Sequence, residues 1–148
     1  IDDILHALRM EGHEKLATYL RAVPATLPAL ERLAGMGRAY HRFALENHHH
    51  FELMFLVRSA ESPRREAVQQ ELFTLMLLRD AVASGIAAGE LRNDLDVMTV
   101  TTALWAQVHG LTALAVSGLL VQATAAEQGA VLDGIFAAVA SWLVPTTG

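Results

Sequence analysis

Residues 97–126 read VMTVTTALWAQVHGLTALAVSGLLVQATAA and contain no Asp, Glu, Lys or Arg. Ala and Leu are frequent in this stretch, and both rank among the best helix formers. A helix without a charged face has no side suited to water, so it must be buried in a bilayer, a large core or a subunit interface. The choice among these three environments decides what kind of protein the chain is.

The length of the uncharged stretch permits a membrane span, because about 20 apolar residues cross the hydrocarbon of a bilayer. Polar side chains are nevertheless scattered around the helix, and a single span would expose several of them to lipid. They are Thr99, Thr101, Thr102, Gln107, His109, Thr112 and Ser117. No Lys or Arg cluster flanks the stretch to set its orientation. We therefore predict that the protein does not contact a membrane.

One face of the uncharged helix repeats small residues at three- and four-residue spacing, which lets two helix backbones approach closely. These residues are Ala103, Ala106 or Gln107, Gly110, Ala113 and Ser117. The opposite side offers Leu104, Val108, Leu111 and Ala115 to the protein's own core. The pattern predicts a helix that lies between its own core and a twin subunit.

The remainder of the chain is also predicted to be helical, with apolar residues at helical spacing and no alternating strand pattern. Helix boundaries are marked by Pro28 at a helix start, Ser62-Pro63 at the next start, and Gly89 and Gly118 at helix ends. Asp94 or Asp96 can cap the uncharged helix, and Thr124 to Glu127 fits a capping box. The predicted helices cover Asp2 to Ala22, Pro28 to about Asn47, His48 to Ser59, Ser62 to about Gly89, Asp96 to Gly118, and Thr124 to Leu143.

These helices predict an all-α bundle of five long helices and a short one, forming one domain over residues 1–148. We expect the last two long helices of each subunit to form a four-helix dimer interface around a two-fold axis. Leu75-Met-Leu-Leu78 is apolar on every side, so we expect its centre to be buried all round.

Composition narrows the functional classes. The net charge of −5 repels phosphate backbones and argues against nucleic-acid binding by this segment. The absence of cysteine excludes disulfides and thiolate chemistry. No signal peptide precedes the first helix, which agrees with a cytoplasmic location. The chain does not begin with Met, so we expect it to be part of a longer protein.

Several short motifs, in their order along the chain, resemble those of a known protein family. The residues Trp105, His109 and Gly110 are similar to the Trp…His-Gly signature of one subgroup. Tyr40-His-Arg-Phe-Ala-Leu-Glu-Asn47, Phe51-Glu-Leu-Met-Phe55 and Gly89-Glu-Leu-Arg-Asn-Asp-Leu-Asp96 occur in the family's order. Together these motifs resemble the C-terminal domain of TetR/AcrR-type transcriptional regulators. The opening, Asp2-Asp-Ile-Leu-His-Ala-Leu8, resembles the helix that follows the family's DNA-binding module, so residues 1–22 would be the linking helix.

The resemblance implies a regulatory domain, most commonly of a repressor, that binds a small hydrophobic effector and forms a homodimer. Operator DNA would be bound only through an N-terminal helix-turn-helix module that this chain lacks. Candidate pocket residues are Tyr40, Phe43, Met54, Phe55, Phe73, Met76, Trp105 and His109. Candidate dimer-interface residues are Ala106, Gly110, Ala113, Ser117, Phe136, Val139, Ala140 and Leu143.

The alternative is a small metal-binding or enzymatic bundle that uses His109 or the run His48-His49-His50. Three successive histidines on a helix point about 100° apart, so they cannot converge on one ion. A metal site would therefore need His41, His13 or a partner chain as well. Glu46 and His49 have the Glu-x-x-His spacing of di-iron bundles, but such a site needs two of these motifs.

Catalysis is not expected, because the sequence shows no Ser/His/Asp arrangement, Gly-rich phosphate loop or paired carboxylates on an apolar face. We predict no cofactor and no bound metal. His109 is either a buried histidine held by a hydrogen bond or a pocket residue.

Overall fold

The computed structural model describes residues 1–57, 65–120 and 124–146, which form a helical bundle with no strand. The five long helices are α1 (Asp2–Arg21), α2 (Ala29–Glu46), α4 (Arg65–Ala87), α5 (Val97–Val116) and α6 (Ala125–Leu143). A short helix, α3 (His48–Phe51), continues directly into a π-helical turn, Glu52–Leu56. The predicted all-α class, with five long helices and a short one, is confirmed.

Local chemistry explains the ends of α5 and α6. The Asp96 carboxylate accepts the Thr99 backbone N–H at 2.8 Å and caps the start of α5. Gly118 follows the end of α5 with a φ of +75°, a conformation that favours glycine. Thr124 and Glu127 form the predicted capping box at the start of α6. The predicted helix start at Ser62-Pro63 lies outside the described residues.

The loop between α4 and α5 forms hydrogen bonds with the start of α2 and the end of α6. Its Glu90 carboxylate accepts the backbone N–H of Ala29 at 2.6 Å, so it caps α2 from another part of the chain. The backbone N–H of Arg92 donates to the Leu143 carbonyl at 2.9 Å and holds the end of α6.

Helix α2 is central, because it packs against α1, α4, α5 and α6. Among the largest fully buried side chains are Leu16, Phe43, Phe51, Val82, Val100 and Leu143. A buried hydrogen bond of 2.9 Å joins His41 Nδ1 on α2 to Thr112 Oγ1 on α5. The two polar groups satisfy each other inside the core, where either one alone would be costly.

The expectation for the apolar run of α4 was wrong. Leu75, Met76, Leu77 and Leu78 are each only partly buried. Leu75 and Leu78 border an open cavity inside the bundle, and the rest of this turn is only partly covered by its neighbours. An apolar run can thus line internal space without being enclosed by protein.

Within the described part of the chain, no helix combines the length and apolar character that a bilayer crossing requires.

Candidate functional site

The bundle encloses a cavity of about 570 Å³, which is within the size range of small-molecule sites. Every long helix contributes to its wall, and Phe55 of the π-helical turn adds a further side. The wall is mainly aliphatic and aromatic, including Leu16, Leu20, Leu33, Met36, Leu104 and Val108. Such a lining favours a largely apolar occupant.

Exposed charges mark one edge of the cavity, between α2 and α6. The Arg38 guanidinium lies 3.0 Å from an Asp133 carboxylate oxygen, and both side chains are more than half exposed. The same guanidinium stacks over the Phe136 ring at 5.5 Å. Phe136 in turn packs on Gly37, where an added Cβ would lie 2.2 Å from the ring. These residues form a rim around the opening.

His13 is a polar residue on the otherwise apolar α1 side of the wall. Its side chain is buried, and its Nδ1 atom has no hydrogen-bond partner. Burial lowers the pKa of His13 to about 4, so the imidazole is neutral at pH 7. Its ring meets the edge of Phe55 with centroids 6.0 Å apart. The cavity therefore has a neutral, hydrogen-bonding side chain in its wall.

Glu71 places a carboxyl group on the α4 side of the cavity. Burial raises the pKa of Glu71 above its usual value. Tyr40 is near enough for this charge to matter: its hydroxyl pKa is raised first by burial, and also by the negative charge of Glu71. Among the described residues Glu71 has no ion-pair partner. One turn along α4, Thr74 donates its hydroxyl hydrogen bond to the Gln70 carbonyl at 3.0 Å.

Behind the wall, His109 is surrounded by aromatic rings. Its Nδ1 and the Tyr40 hydroxyl are 2.6 Å apart and share a hydrogen bond. Its ring centroid lies 5.0 Å from that of Phe55, 5.4 Å from that of Trp105 and 5.7 Å from that of Phe51. Burial lowers the pKa of His109, so the ring is neutral near pH 7. His109 thus supports the aromatic side of the cavity.

The structure brings three of the predicted pocket residues, Tyr40, Phe55 and Trp105, to the cavity wall. The other five lie outside the cavity wall. Phe43 is fully buried against Tyr19, Met54 packs on Gly12, and Phe73 is exposed beneath the Arg21 guanidinium. Met76 is partly buried away from the wall, and His109 stands behind the wall residues.

Most wall residues were not among the predicted pocket residues, and these include the polar residues His13 and Glu71. Glu71 precedes Leu75 by four positions and Leu78 by seven, so helical spacing places this carboxylate on the apolar stripe of α4. That placement was the available signal. His13 lies three residues before Leu16 and seven before Leu20, on the buried stripe of α1.

The predicted interface residues of α5 and α6 fall on different sides of the bundle. On α5, Ala106 and Ser117 are exposed, while Gly110 and Ala113 are partly buried on the same outward face. A Cβ added to Gly110 would meet nothing within 4 Å. This face is open and without charge, as an interface helix requires.

The predicted α6 residues lie on the inward face of that helix. Phe136, Val139, Ala140 and Leu143 line the cavity, and Val139 and Leu143 are buried in the chain's own core. Phe136 and Ala140 are partly exposed. The outward face of α6 carries small exposed residues instead, namely Ala130, Gly134, Ala138 and Ser141.

The His48–His50 run does not assemble with the other histidines. His49 lies 3.7 Å from the Glu52 carboxylate and is exposed, and His50 lies 3.6 Å from Glu11. His13 lies in the cavity wall, and His41 is hydrogen-bonded to Thr112. In the described ranges, no group of three or more His, Asp or Glu residues is arranged to hold a metal ion.

Comparisons with known proteins agree with this architecture. Residues 33–139 match the family described as tetracyclin repressor-like, C-terminal domain. A solved structure described as a protein with unknown function from Rhodococcus sp. RHA1 superimposes with a TM-score of 0.82 and 25% sequence identity. The match covers 95% of this chain and 71% of the Rhodococcus chain. No curated protein matches the sequence.

Proposed function

The chain belongs to the family of tetracyclin repressor-like C-terminal domains, and we propose that it is the effector-binding and dimerisation domain of a cytoplasmic transcriptional repressor. In this proposal residues 1–148 form the regulatory unit, and the segment 1–22 links it to a DNA-binding module. Operator DNA contacts only that module, and this domain controls the contact. The domain has no enzymatic role.

The cavity is the observation that carries the proposal. Its volume of about 570 Å³ and its apolar wall suit a small hydrophobic effector. Helices from both ends of the chain contribute to that wall, so an occupant contacts α1 and α6 together. An effector that fits one arrangement of these helices better than another shifts the population toward it.

Contacts between α1 and the π-helical turn offer a route from the cavity to the linking helix. The Arg9 Nε donates to the Leu53 carbonyl at 2.8 Å. Met54 packs so closely on Gly12 that an added Cβ would lie 2.4 Å from its sulfur. Displacement of Phe55 by an effector would therefore move α1. DNA-binding modules of a dimer must match half-sites roughly 34 Å apart, so a modest shift weakens operator binding.

Dimerisation is proposed through the outward faces of α5 and α6. These helices pack against each other, and both outward faces bear small uncharged residues. Two copies related by a two-fold axis would place four such helices together, with backbones in close approach. In the proposed dimer, the interface is centred on Ala106 and Gly110 of α5 and on Gly134 and Ala138 of α6.

A neutral, environment-sensitive dye such as Nile red tests the effector site. We expect one dye per chain and at least about tenfold weaker binding for Leu75→Trp, whose larger ring occupies the cavity. The matched control is Leu72→Trp on the same helix, because Leu72 is 51% exposed and outside the wall. Equal binding by the two variants would overturn the proposed site.

Sedimentation equilibrium tests the dimer. Ala106→Glu and Gly134→Glu each bring a charge into the proposed interface, and we expect either to shift the protein from dimer to monomer. Ser84→Glu places the same charge on an exposed part of α4 and should remain dimeric. A monomeric wild-type protein would contradict this part of the proposal.

A further inference from the structure

The charges on the cavity wall are predominantly negative. Four charged residues border it: Glu31, Arg38, Glu71 and Asp133. In the described part of the chain, Arg38 is the one cationic residue of the wall, and it is paired with Asp133 at the exposed rim. An anionic ligand would therefore find no uncommitted cation on the described wall, while two carboxylates remain beyond the ion pair.

Glu71 borders the cavity on α4, one turn before the wall residue Leu75. The residue is exposed on one side but borders the cavity on the other, where partial desolvation raises its pKa. A carboxylate at an apolar surface loses hydration, and only a counter-charge or hydrogen bonds recover that loss. The described residues place no cation beside Glu71. A ligand with a positive charge can supply this counter-charge.

Aromatic rings are the second feature suited to a cation. Tyr40, Phe55 and Trp105 lie together on the wall, and the faces of such rings attract cations within about 6 Å. The negative charge of Glu71 also raises the pKa of the Tyr40 hydroxyl. The carboxylate and the aromatic rings thus border the same cavity.

Building on the effector role proposed above, we propose that the cavity selects amphiphilic cations, with an amine or quaternary ammonium head at Glu71 and an apolar body along the aliphatic wall. The apolar body gains from burial in the same way for a neutral molecule. The head adds attraction to the carboxylate and to the aromatic faces, which strengthens in a site of low dielectric. An anionic head would be repelled by Glu71.

Three ligands with the same decyl chain separate these contributions: decyltrimethylammonium, decanol and decanoate. Isothermal titration calorimetry below the concentrations of micelle formation gives their dissociation constants. We expect the cation to bind about tenfold more tightly than decanol, and decanoate to bind more weakly than either. Equal binding of the cation and decanol would overturn the inference about charge.

Substitution of Glu71 supplies the second arm. We expect Glu71→Gln to weaken binding of decyltrimethylammonium about tenfold and to leave decanol within about twofold. Glu71→Asp keeps the charge and should retain the preference for the cation. Glu14→Gln removes the same charge from an exposed position of α1 and should change neither ligand. If Glu14→Gln weakens the cation as much as Glu71→Gln does, a long-range charge effect replaces the proposed contact.

Failure of this inference can be told apart from failure of the proposed function. Binding of decanol that Leu75→Trp abolishes, without a preference for the cation, would overturn the charge selection and leave the effector cavity in place. No binding of any decyl ligand or of Nile red would overturn both. If Glu71→Gln does not fold, as judged by circular dichroism, the order of the three ligands on the wild-type protein decides.

Discussion

The Tyr40 hydroxyl and His109 Nδ1 are joined by a hydrogen bond of 2.6 Å that connects α2 to α5 at the aromatic side of the cavity. Phe55 and Trp105, which border the cavity, both pack on the His109 ring. His109 therefore orients two wall residues without lining the cavity itself. In the Trp…His-Gly motif of this helix, Trp105 lines the cavity, His109 supports the wall and Gly110 lies on the outward face.

Removal of the Tyr40 hydroxyl should destabilise the protein. Tyr40→Phe leaves the partly buried His109 nitrogen without its partner, and we expect a loss of about 1–3 kcal/mol in the free energy of unfolding. Tyr19→Phe is the matched control, because the Tyr19 hydroxyl bonds to the exposed Glu46 and accepts only a longer bond of 3.3 Å from Asn47. Urea unfolding monitored by circular dichroism measures both. Equal losses for the two variants would contradict the special role of Tyr40.

Stability should fall as the pH decreases from about 6.5 toward 4. The pKa of folded His13 is about 4, below the value of 6.5 for an exposed histidine, so the unfolded chain takes up a proton first. The pKa values of His41 and His109 are lowered by burial too and act in the same direction. We expect His13 to account for up to about 3 kcal/mol of the loss.

The variant His13→Gln isolates this contribution. Between pH 6.5 and 5 its unfolding free energy should depend less steeply on pH than that of the wild type. An unchanged slope would show that His13 is solvated in the folded protein. Carboxylates with lowered pKa values, such as Asp96, lose their stabilising effect at lower pH and do not affect this window.

Gly37 should not tolerate a methyl group. In Gly37→Ala the new Cβ would overlap the Phe136 ring, which is also held by Arg38. Overpacking of this kind costs about 1–3 kcal/mol, whereas alanine in a helix gains about 0.5–1 kcal/mol over glycine. We expect a net loss of about 1 kcal/mol in thermal or urea unfolding. Gly129→Ala, where nothing lies within 4 Å, should be neutral or stabilising.

The bond from Arg9 to the Leu53 carbonyl should hold the π-helical turn against α1. Arg9→Met keeps most of the side-chain length but removes the donor, and we expect a loss of about 1 kcal/mol in stability with faster amide exchange in Glu52–Leu56. Arg42→Met removes a surface ion pair with Glu46 and should have a smaller effect. Unchanged exchange in the turn would show that this contact does not restrain it.

Helix boundaries and caps were predictable because they depend on local chemistry. Asp96, Gly118 and the Thr124–Glu127 capping box act within one helical turn, so their spacing in the sequence is sufficient. The uncharged outward face of α5 was predictable for a similar reason, because it follows from helical periodicity alone.

The cavity wall was less predictable, because it depends on how distant helices leave space between them. Periodicity shows that Phe136, Val139 and Leu143 share an apolar stripe, but not whether a second subunit or the chain's own cavity covers it. The run Leu75–Leu78 has the same ambiguity. His13 and Glu71 were not predicted as wall residues, because periodicity does not show what a single polar residue on an apolar stripe faces.

Hydrogen–deuterium exchange with and without decyltrimethylammonium tests most directly whether the cavity is an effector site coupled to α1, with decanol as the neutral comparison. We predict that ligand slows exchange in the Gly12–Leu20 part of α1 and in the Glu52–Leu56 turn, and that Leu75→Trp abolishes this protection. Protection confined to the outward faces of α5 and α6, or its persistence in Leu75→Trp, would contradict an effector site inside the bundle.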